Sequence, residues 1–136
     1  MSLFSVLNVS ASGMAAQRLR AEVIVQNLAN ADTTRTPEGG PYRRKDVVFE
    51  SVLSSELGSG ADEVAVAEIR IDSREPVRRY MPGHPDADKD GYVAMPRVNP
   101  AEDMVDLLGA SRGYQANIAA VTAVKDMIHR SIDLLR

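Results

Sequence analysis

Both ends of the chain carry apolar residues at the alternating three-and-four spacing of a coiled-coil seam, and this pattern constrains the fold more than any other feature. We call the two sets of positions the N-terminal stripe and the C-terminal stripe. The N-terminal stripe comprises Phe4, Leu7, Ala11, Met14, Arg18, Ala21, Val25 and Leu28. The C-terminal stripe comprises Met104, Leu107, Ser111, Tyr114, Ile118, Val121, Lys125, Ile128, Ile132 and Leu135. Because a strand would alternate with period two, we predict a helix at each end.

Two interpretations of the stripes remain open at this point. In an ordinary globular protein, an apolar stripe packs on the core of its own domain. The N-terminal helix, however, carries only Arg18, Arg20 and Glu22 as charges, so it lacks the charged face of a solvated helix. Aromatic residues make up 4% of the chain and Trp is absent. The segment between the helices also looks too small to enclose rods about 40 and 50 Å long. We therefore predict that the helices pair with each other and then with neighbouring molecules.

The middle of the chain is predicted to be a small β-rich module. Residues 64–71 have the pattern of a strand, and residues 76–80 and 91–95 are predicted strands that a loop separates. Residues 47–49 and 51–57 are ambiguous, and residues 54–62 have the composition of a flexible polar connection. The middle therefore offers a few short strands and no large core.

Capping residues mark the inner ends of the helices. The first helix is predicted to end within residues 27–34, whose side chains tolerate left-handed backbone or bond their own backbone. Asn99 is the predicted N-cap of the second helix, with Pro100 in its first position. The sequence thus predicts an α+β fold, in which the N- and C-terminal α-helices pair as a coiled-coil-like inner domain beside the β-rich module. The predicted units are the N-terminal helix at 1–33, an extended loop or linker at 34–50, the middle module at 51–98 and the C-terminal helix at 99–136.

Composition argues against several classes of function. The chain is 44% hydrophobic and 26% charged with a formal net charge of −3, so it lacks the concentrated basic surface that nucleic acid requires. It contains no Cys and two His, which excludes thiolate chemistry and leaves little material for a zinc or catalytic site. No apolar run approaches the roughly 18 residues of a membrane span, and the N-terminus lacks the features of a cleaved signal. We predict no enzymatic activity, no cofactor or metal, no nucleic-acid partner and no direct membrane insertion.

Three local motifs each allow a second interpretation. Residues 86–91 begin like a calcium loop, but Arg97 stands where that loop needs a bidentate Glu, so a hairpin turn explains them as well. The cluster Arg43-Arg44-Lys45 has no interleaved aromatic residues, which favours a solvated or subunit-facing patch over nucleic-acid binding. Arg18 and Lys125 interrupt the stripes, where a charge either extends to the edge of the interface or fixes its register.

Several motifs resemble signatures that bacterial flagellar rod, hook and related axial proteins share. Ser12-Gly13-Met14 and residues 26–33 resemble the N-terminal signature, and residues 93–100 and 110–117 resemble the C-terminal one. The loop 34–45 resembles that of a rod member, since most axial relatives carry a shorter turn there. On these residues, the chain is identified as a member of the flagellar axial family.

The resemblance implies a structural subunit of the proximal rod, the drive shaft that crosses the periplasm and transmits torque from the motor to the hook. It implies helical assembly with the terminal helices inward, and export through the flagellar type III export apparatus without signal cleavage. The implied partners are other copies of the chain, other flagellar rod proteins and the basal-body adaptor at the rod base. The sequence departs from the family pattern at Gly113, where Ser is expected, and at Asp32, where Asn is common. Gly113 inside a helix is expected to cost about 1 kcal/mol.

We predict that stripe and motif residues form the assembly interface. They are Phe4, Leu7, Met14, Arg18, Val25, Leu28, Asn30, Arg43, Arg44, Leu107, Arg112, Tyr114, Ile118, Val121, Lys125, Ile128 and Leu135. The loop 34–45 is predicted to contact a neighbouring subunit, because its cations directly follow the inner helix and loops commonly carry function. The alternatives are a small calcium- or nucleic-acid-binding module with helical oligomerisation ends, and a small enzyme.

Overall fold

Two long helices at the chain ends frame a small β-rich middle, as the α+β prediction requires. The structure, a computed structural model, describes residues 3–53 and 62–134, with side chains from residue 5 onward. The elements, in chain order, are α1 (Leu3–Ala29), β1 (Lys45–Leu53), β2 (Asp62–Ile71), β3 (Val77–Tyr80), β4 (Tyr92–Met95) and α2 (Pro100–Asp133). No helix among the described residues is both long and apolar enough to cross a membrane.

Side-chain caps fix the inner ends of both helices. The Asn99 side chain accepts a hydrogen bond from the backbone N–H of Ala101, Pro100 opens α2, and Glu102 and Asp103 occupy its acidic first turn, which favours the positive helix end. At the end of α1, the Asn30 side chain donates to the carbonyl of Gln26 at 2.9 Å. The capping residues therefore act where the sequence predicts.

The two helices pack against each other in antiparallel fashion. A Cβ placed on Gly13 would lie 3.0 Å from Asn117 Oδ1, and one placed on Gly113 would lie 3.1 Å from Gln17 Cδ. Contacts in this order require opposite chain directions. Glycine lets the helices approach closely at both points, because interaxial distance depends on the size of the side chains between them.

The face through which the helices pair differs from the predicted stripes. The fully buried residues of the pair are mostly small or polar: Ser5, Ser10, Ala16, Val23, Ile24, Asn27, Asp103, Ala110 and Val124. None of these positions in α1 belongs to the stripe: Ser10, Ile24 and Asn27 lie one residue before a stripe position, and Ser5, Ala16 and Val23 lie one or two residues after one. In α2 the buried positions all lie one residue before the stripe. Since one residue turns a helix by about 100°, stripe residues such as Val25 and Ile118 are left 50% and 44% exposed.

The middle consists of two separate antiparallel hairpins. β1 pairs with β2, with a register shift between Val48 and Phe49, and β3 pairs with β4. The predicted strand 64–71 lies within β2, the predicted strands 76–80 and 91–95 contain β3 and β4, and the ambiguous 47–49 lies within β1. The predicted polar connection lies outside the described residues except for Asp62, which begins β2.

The β1–β2 hairpin runs back along α1, with which both of its strands make contact. The backbone N–H of Val64 donates to Ser12 Oγ at 3.1 Å, and Lys45 at the other end of the hairpin bonds Asn27. A two-stranded hairpin is marginal alone in water, so the helix supplies the surface that stabilises it.

Candidate assembly surfaces and the polar clamp that orients them

Asn27 joins the last turns of α1 to the first residue of β1. Its Nδ2 donates to the carbonyl of Lys45 at 2.8 Å, and its Oδ1 accepts from the Lys45 N–H and the Tyr42 hydroxyl, each at 2.9 Å. Asn27 is 0% exposed. Its amide pairs with both the N–H and the C=O of Lys45, as the backbone of a neighbouring strand would. Burial, with a contribution from the negative charge of Asp103, raises the pKa of Tyr42, which keeps its hydroxyl a donor to Asn27.

Arg44 and Asp103 form an ion pair that connects the same region to the start of α2. The Arg44 Nη2 to Asp103 Oδ1 distance is 2.8 Å, and Asp103 is 0% exposed. The guanidinium also lies 3.3 Å from Asp46 and 3.8 Å from Asp106. Within the described residues neither Asp103 oxygen receives an aligned hydrogen bond, so the contact is electrostatic. Burial raises the pKa of Asp103 and the Arg44 charge opposes that rise. We call Asn27, Tyr42, Arg44, Lys45 and Asp103 the polar clamp.

The loop 34–45 is held against the β3–β4 connection of its own chain. Thr34 Oγ1 and Arg35 Nη2 donate to the two carboxylate oxygens of Asp86 at 2.8 and 2.6 Å. The tip turns through Gly39 and Gly40, whose φ angles of 91° and 77° favour glycine. Pro37 to Gly40 remain exposed. The contact of this loop with a neighbouring subunit therefore stays a prediction for the tip, while its base is engaged within the molecule.

Backbone and arginine donors occupy both carboxylate oxygens of Asp88, at the centre of the calcium-like segment. Asp88 Oδ1 accepts from the backbone N–H groups of Asp90 and Tyr92, and Oδ2 pairs with Arg78. The hydrogen bond from Tyr92 contributes most to lowering the pKa of Asp88, and the one from Thr34 most to lowering that of Asp86. These bonds close the β3–β4 turn, which favours the hairpin interpretation. Among the described residues, no group of three His, Cys, Asp or Glu could hold a metal ion.

Part of the stripe lies on the surface left open by the helix pair. Met14, Arg18 and Tyr114 line one open groove of about 460 Å³ between α1 and α2. Arg18 pairs with Glu22 on its own helix at 3.3 Å, and both side chains are more than half exposed, so within the monomer Arg18 behaves as an ordinary surface charge. Lys125 is exposed and forms no ion pair with any described residue.

The other predicted interface residues fall into three groups. Half-buried residues are Leu7, Leu28, Asn30, Leu107, Val121 and Ile128, together with Met14 and Arg44. Exposed residues are Val25, Arg43, Arg112 and Ile118, together with Arg18, Tyr114 and Lys125. The side chains of Phe4 and Leu135 lie outside the described residues. Arg43 donates to the Asp72 carbonyl at 3.1 Å, so it also has a partner within the chain.

Large apolar side chains stand exposed along α2. They are Met104, Val105, Leu108, Ile118, Met127, Ile132 and Leu134, each between 44% and 87% exposed. We call this set the open face of α2. Exposed large apolar side chains in this number favour an interaction surface along the helix. Val105, Leu108, Met127 and Leu134 lie off the predicted stripe, so the apolar surface is wider than the seam spacing indicates.

Sequence reasoning did not assign the polar clamp or the glycine contacts. Asn27 lies within the N-terminal signature at residues 26–33, but a polar residue at a helix end usually acts as a cap. Asp103 stands in the acidic first turn of α2, a position that the helix dipole alone explains. Gly113 was interpreted as a weak point of α2, whereas it lies against Gln17. The sequence separation between partners explains these omissions, since Arg44 and Asp103 are far apart in the chain.

Comparison with known proteins gives consistent matches over the whole chain. The family model for flagella basal body rod protein matches residues 7–35, and that for the flagellar basal body rod FlgEFG protein C-terminal matches residues 89–134. Flagellar basal-body rod protein FlgC of Borreliella burgdorferi is 40% identical over 154 residues, covering 100% of this chain and 99% of that protein. FlgC of Salmonella typhimurium is 42% identical over 135 residues, covering 98% of each. FlgC of Bacillus subtilis is 40% identical over 148 residues, covering 98% of this chain and 99% of that protein.

Proposed function

Since the chain belongs to the FlgC family of flagellar basal-body rod proteins and is therefore a structural subunit of the rod, we propose that it builds the proximal rod by packing its terminal helices against neighbouring subunits. Because its relatives are flagellar basal-body rod proteins, this chain is located in the flagellar basal body. We further propose that the rod crosses the periplasm and that the subunit leaves the cell through the flagellar type III export apparatus without a cleaved signal.

The proposed partners are other copies of the chain, other rod proteins and the basal-body adaptor at the rod base. The relatives are named as flagellar basal-body rod proteins, and we propose no enzymatic activity. The proposed interface comprises the predicted stripe residues, the tip of the loop 34–45 and the open face of α2.

The open face of α2 is the observation that carries the proposal. Burying apolar surface yields roughly 25 cal/mol per Å², and the helix pair leaves these side chains without a cover. A repeated apolar contact of this kind suits a shaft that transmits torque, because closely packed interfaces transmit strain. The antiparallel pair exposes stripe residues of α1 as well as of α2, so one subunit can contact more than one neighbour.

The test compares two variants of α2 that each add one carboxylate. Ile118→Asp places a charge in the stripe, while Gln115→Asp places one at an exposed polar position of the same helix. We expect Ile118→Asp to abolish rods, because an unpaired carboxylate buried in an interface costs several kcal/mol. Gln115→Asp should leave rods intact. Rod content in isolated basal bodies and the amount of exported protein are measured separately. Normal rods containing Ile118→Asp would contradict the proposal.

A further inference from the structure

Between Lys45 and Arg70, the β1–β2 hairpin and the segment that connects its strands carry charge of one sign only. Residues 46–69 include Asp46, Glu50, Glu56, Asp62, Glu63 and Glu68 and no Lys or Arg. Because the whole chain has a formal net charge of −3, the rest of the chain carries a net charge of +3. A charge division of this size steers association between copies and favours contacts of the acidic part of one copy with the basic part of another.

Three carboxylates at the far end of this hairpin have no cation of their own. Glu50, Asp62 and Glu63 form no ion pair with any described residue, whereas Asp46 and Glu68 pair with Arg44 and Arg70. Exposed apolar side chains stand beside them, with Val52 at 44% and Leu53 at 63%. We call residues 50–53 and 62–64 the acidic end of the hairpin. It has the mixed charged and apolar character of a docking element.

An open cavity of about 440 Å³ lies between the end of α1, the β3–β4 hairpin and the start of α2. Its charged lining comprises Arg44, Arg74, Arg79 and Arg97 with Asp32 and Glu102, and its apolar lining includes Val77, Met95 and Val98. We call this cavity the arginine groove.

Two of the four arginines in the groove have their charge already matched. Asp103 pairs with Arg44, and Asp72 pairs with Arg74 at 2.6 Å. Among the described residues Arg79 forms no ion pair, and Arg97 bonds only the Glu75 carbonyl, at 3.4 Å. Asp32 and Glu102 do not come within ion-pair distance of either. Arg79 and Arg97 therefore remain available to carboxylates from outside the molecule.

The two surfaces cannot meet within one molecule. The bond from Val64 to Ser12 holds the acidic end beside the first half of α1, while the groove begins beyond the other end of that helix, at Ala31. The helix from Ser12 to Ala29 alone spans about 25 Å at 1.5 Å per residue. A contact between these surfaces therefore joins two copies.

We propose that the acidic end of the β1–β2 hairpin of one copy docks in the arginine groove of a neighbouring copy. The inference rests on the proposed function, because it names the partner surfaces of a subunit that assembles. The contact is heterologous, because two different patches meet. Repeated from copy to copy, it builds an open helix unless the rotation between successive copies closes a ring. Exposed ion pairs are individually weak, and the apolar residues on both surfaces supply the remaining contact area.

The absence of Cys from the chain allows a direct cross-linking test in assembled basal bodies. In the double variant Asp62→Cys with Arg79→Cys, every copy carries both halves of the contact. Oxidation should therefore produce disulfide-linked chains longer than dimers on a non-reducing gel. Each single variant, and the control Gln115→Cys with Arg79→Cys, should give no such series. Assembled rods of the double variant without cross-links, or cross-linked only to another rod protein, would overturn the proposal.

A charge exchange provides a second measurement that does not depend on cysteine. Arg79→Glu with Arg97→Glu should abolish rods, and adding Asp62→Arg with Glu63→Arg should restore them. Lys89→Glu is the matched control, an exposed cation outside the groove, and should have no effect. If the groove variants assemble normally while Ile118→Asp does not, this contact is wrong and the proposed function stands. If both assemble normally, the proposed function fails as well.

Discussion

Asn27 fixes the last turns of α1 against the first residue of β1. Its three hydrogen bonds fix Lys45 and Tyr42 against the last turns of α1. A shorter side chain would leave the backbone N–H and C=O of Lys45 unpaired in a buried place, which is expensive. Asn27 therefore contributes to orientation as well as to stability, since the whole β1–β2 hairpin extends from this point.

We expect Asn27→Ala to lower the free energy of unfolding by about 2–4 kcal/mol, the cost of leaving these partners unsatisfied. Gln26→Ala is the matched control, because Gln26 is exposed and its backbone carbonyl is kept. Urea denaturation followed by circular dichroism measures both. Equal stability of the two variants would show that the clamp does not depend on Asn27.

Asp103 makes a pH-dependent contribution of unusual sign. Its pKa is raised by burial, so the folded chain binds this proton more tightly than the unfolded chain does. The contribution to stability is therefore fully present below the unfolded pKa of about 3.9 and is lost as the pH rises through the raised value. Asp72 has the opposite sign, because hydrogen bonds from Arg74 lower its pKa to about 2.

Comparison of the native chain with Asp103→Asn isolates this contribution. Arg44 keeps Asp46 and Asp106 as neighbours in the variant. We expect the stability of the native chain to fall relative to that of the variant as the pH rises from about 4 to 7. Urea midpoints measured across that range give the difference. A difference that is constant with pH would contradict the raised pKa.

Small residues determine the face through which each helix packs against the other. Gly13 and Gly113 lie at close contacts, whereas a Cβ on Gly109 would meet nothing within 4 Å. Large apolar residues are left for the outer surface, where other subunits can cover them. This arrangement explains why a chain with few aromatic residues still forms two long helices.

Two alanine substitutions should therefore differ in sign. Gly109→Ala should raise the free energy of unfolding by about 0.5–1 kcal/mol, because alanine favours a helix interior over glycine. Gly13→Ala should lower it, because the new Cβ would lie 3.0 Å from Asn117 Oδ1 and push the helices apart. Thermal melts of both variants provide the measurement. A stabilised Gly13→Ala chain would disprove the close approach.

For the whole molecule, the helix register leaves one end of α2 unpaired. The contacts of Gly13 with Asn117 and of Gln17 with Gly113 place Leu3 opposite residue 127. The last turns of α2 therefore extend beyond α1, and Ile132 and Leu134 on them are exposed. In the proposed rod this overhang contacts a neighbour rather than its own chain.

Removal of residues 128–136 should leave the fold intact and block assembly. The clamp and both hairpins do not touch this segment in the described structure, so circular dichroism should lose only the helix signal of the deleted turns. Rods should be absent from basal bodies. Removal of Arg136 alone serves as the control, and we expect that chain to assemble. Rods of normal length from the longer deletion would exclude a role for the overhang.

The folded arrangement gives Asp88 a structural role in the β3–β4 turn. Asp88 stands in the calcium-like segment, which the sequence presents as a solvated turn. The structure shows that its carboxylate accepts bonds from Asp90, Tyr92 and Arg78. Substitution of Asp88 would loosen the β3–β4 hairpin, so the exposed Lys89 is the better neutral position for that loop.

The sequence by itself determined the features that depend on neighbouring residues. Helical periodicity, the Asn99–Pro100 cap and the alternating residues of β2 each act within a few positions, and they predicted the α+β class. The motifs near both ends were sufficient to indicate the flagellar axial family. Tertiary structure alone decided which helix face is buried, because Gly13 and Asn117 meet only after the chain has folded. It likewise brought together Asn27 with Lys45, Arg44 with Asp103, and Thr34 with Asp86, since partners separated by many residues leave no periodic pattern in the sequence.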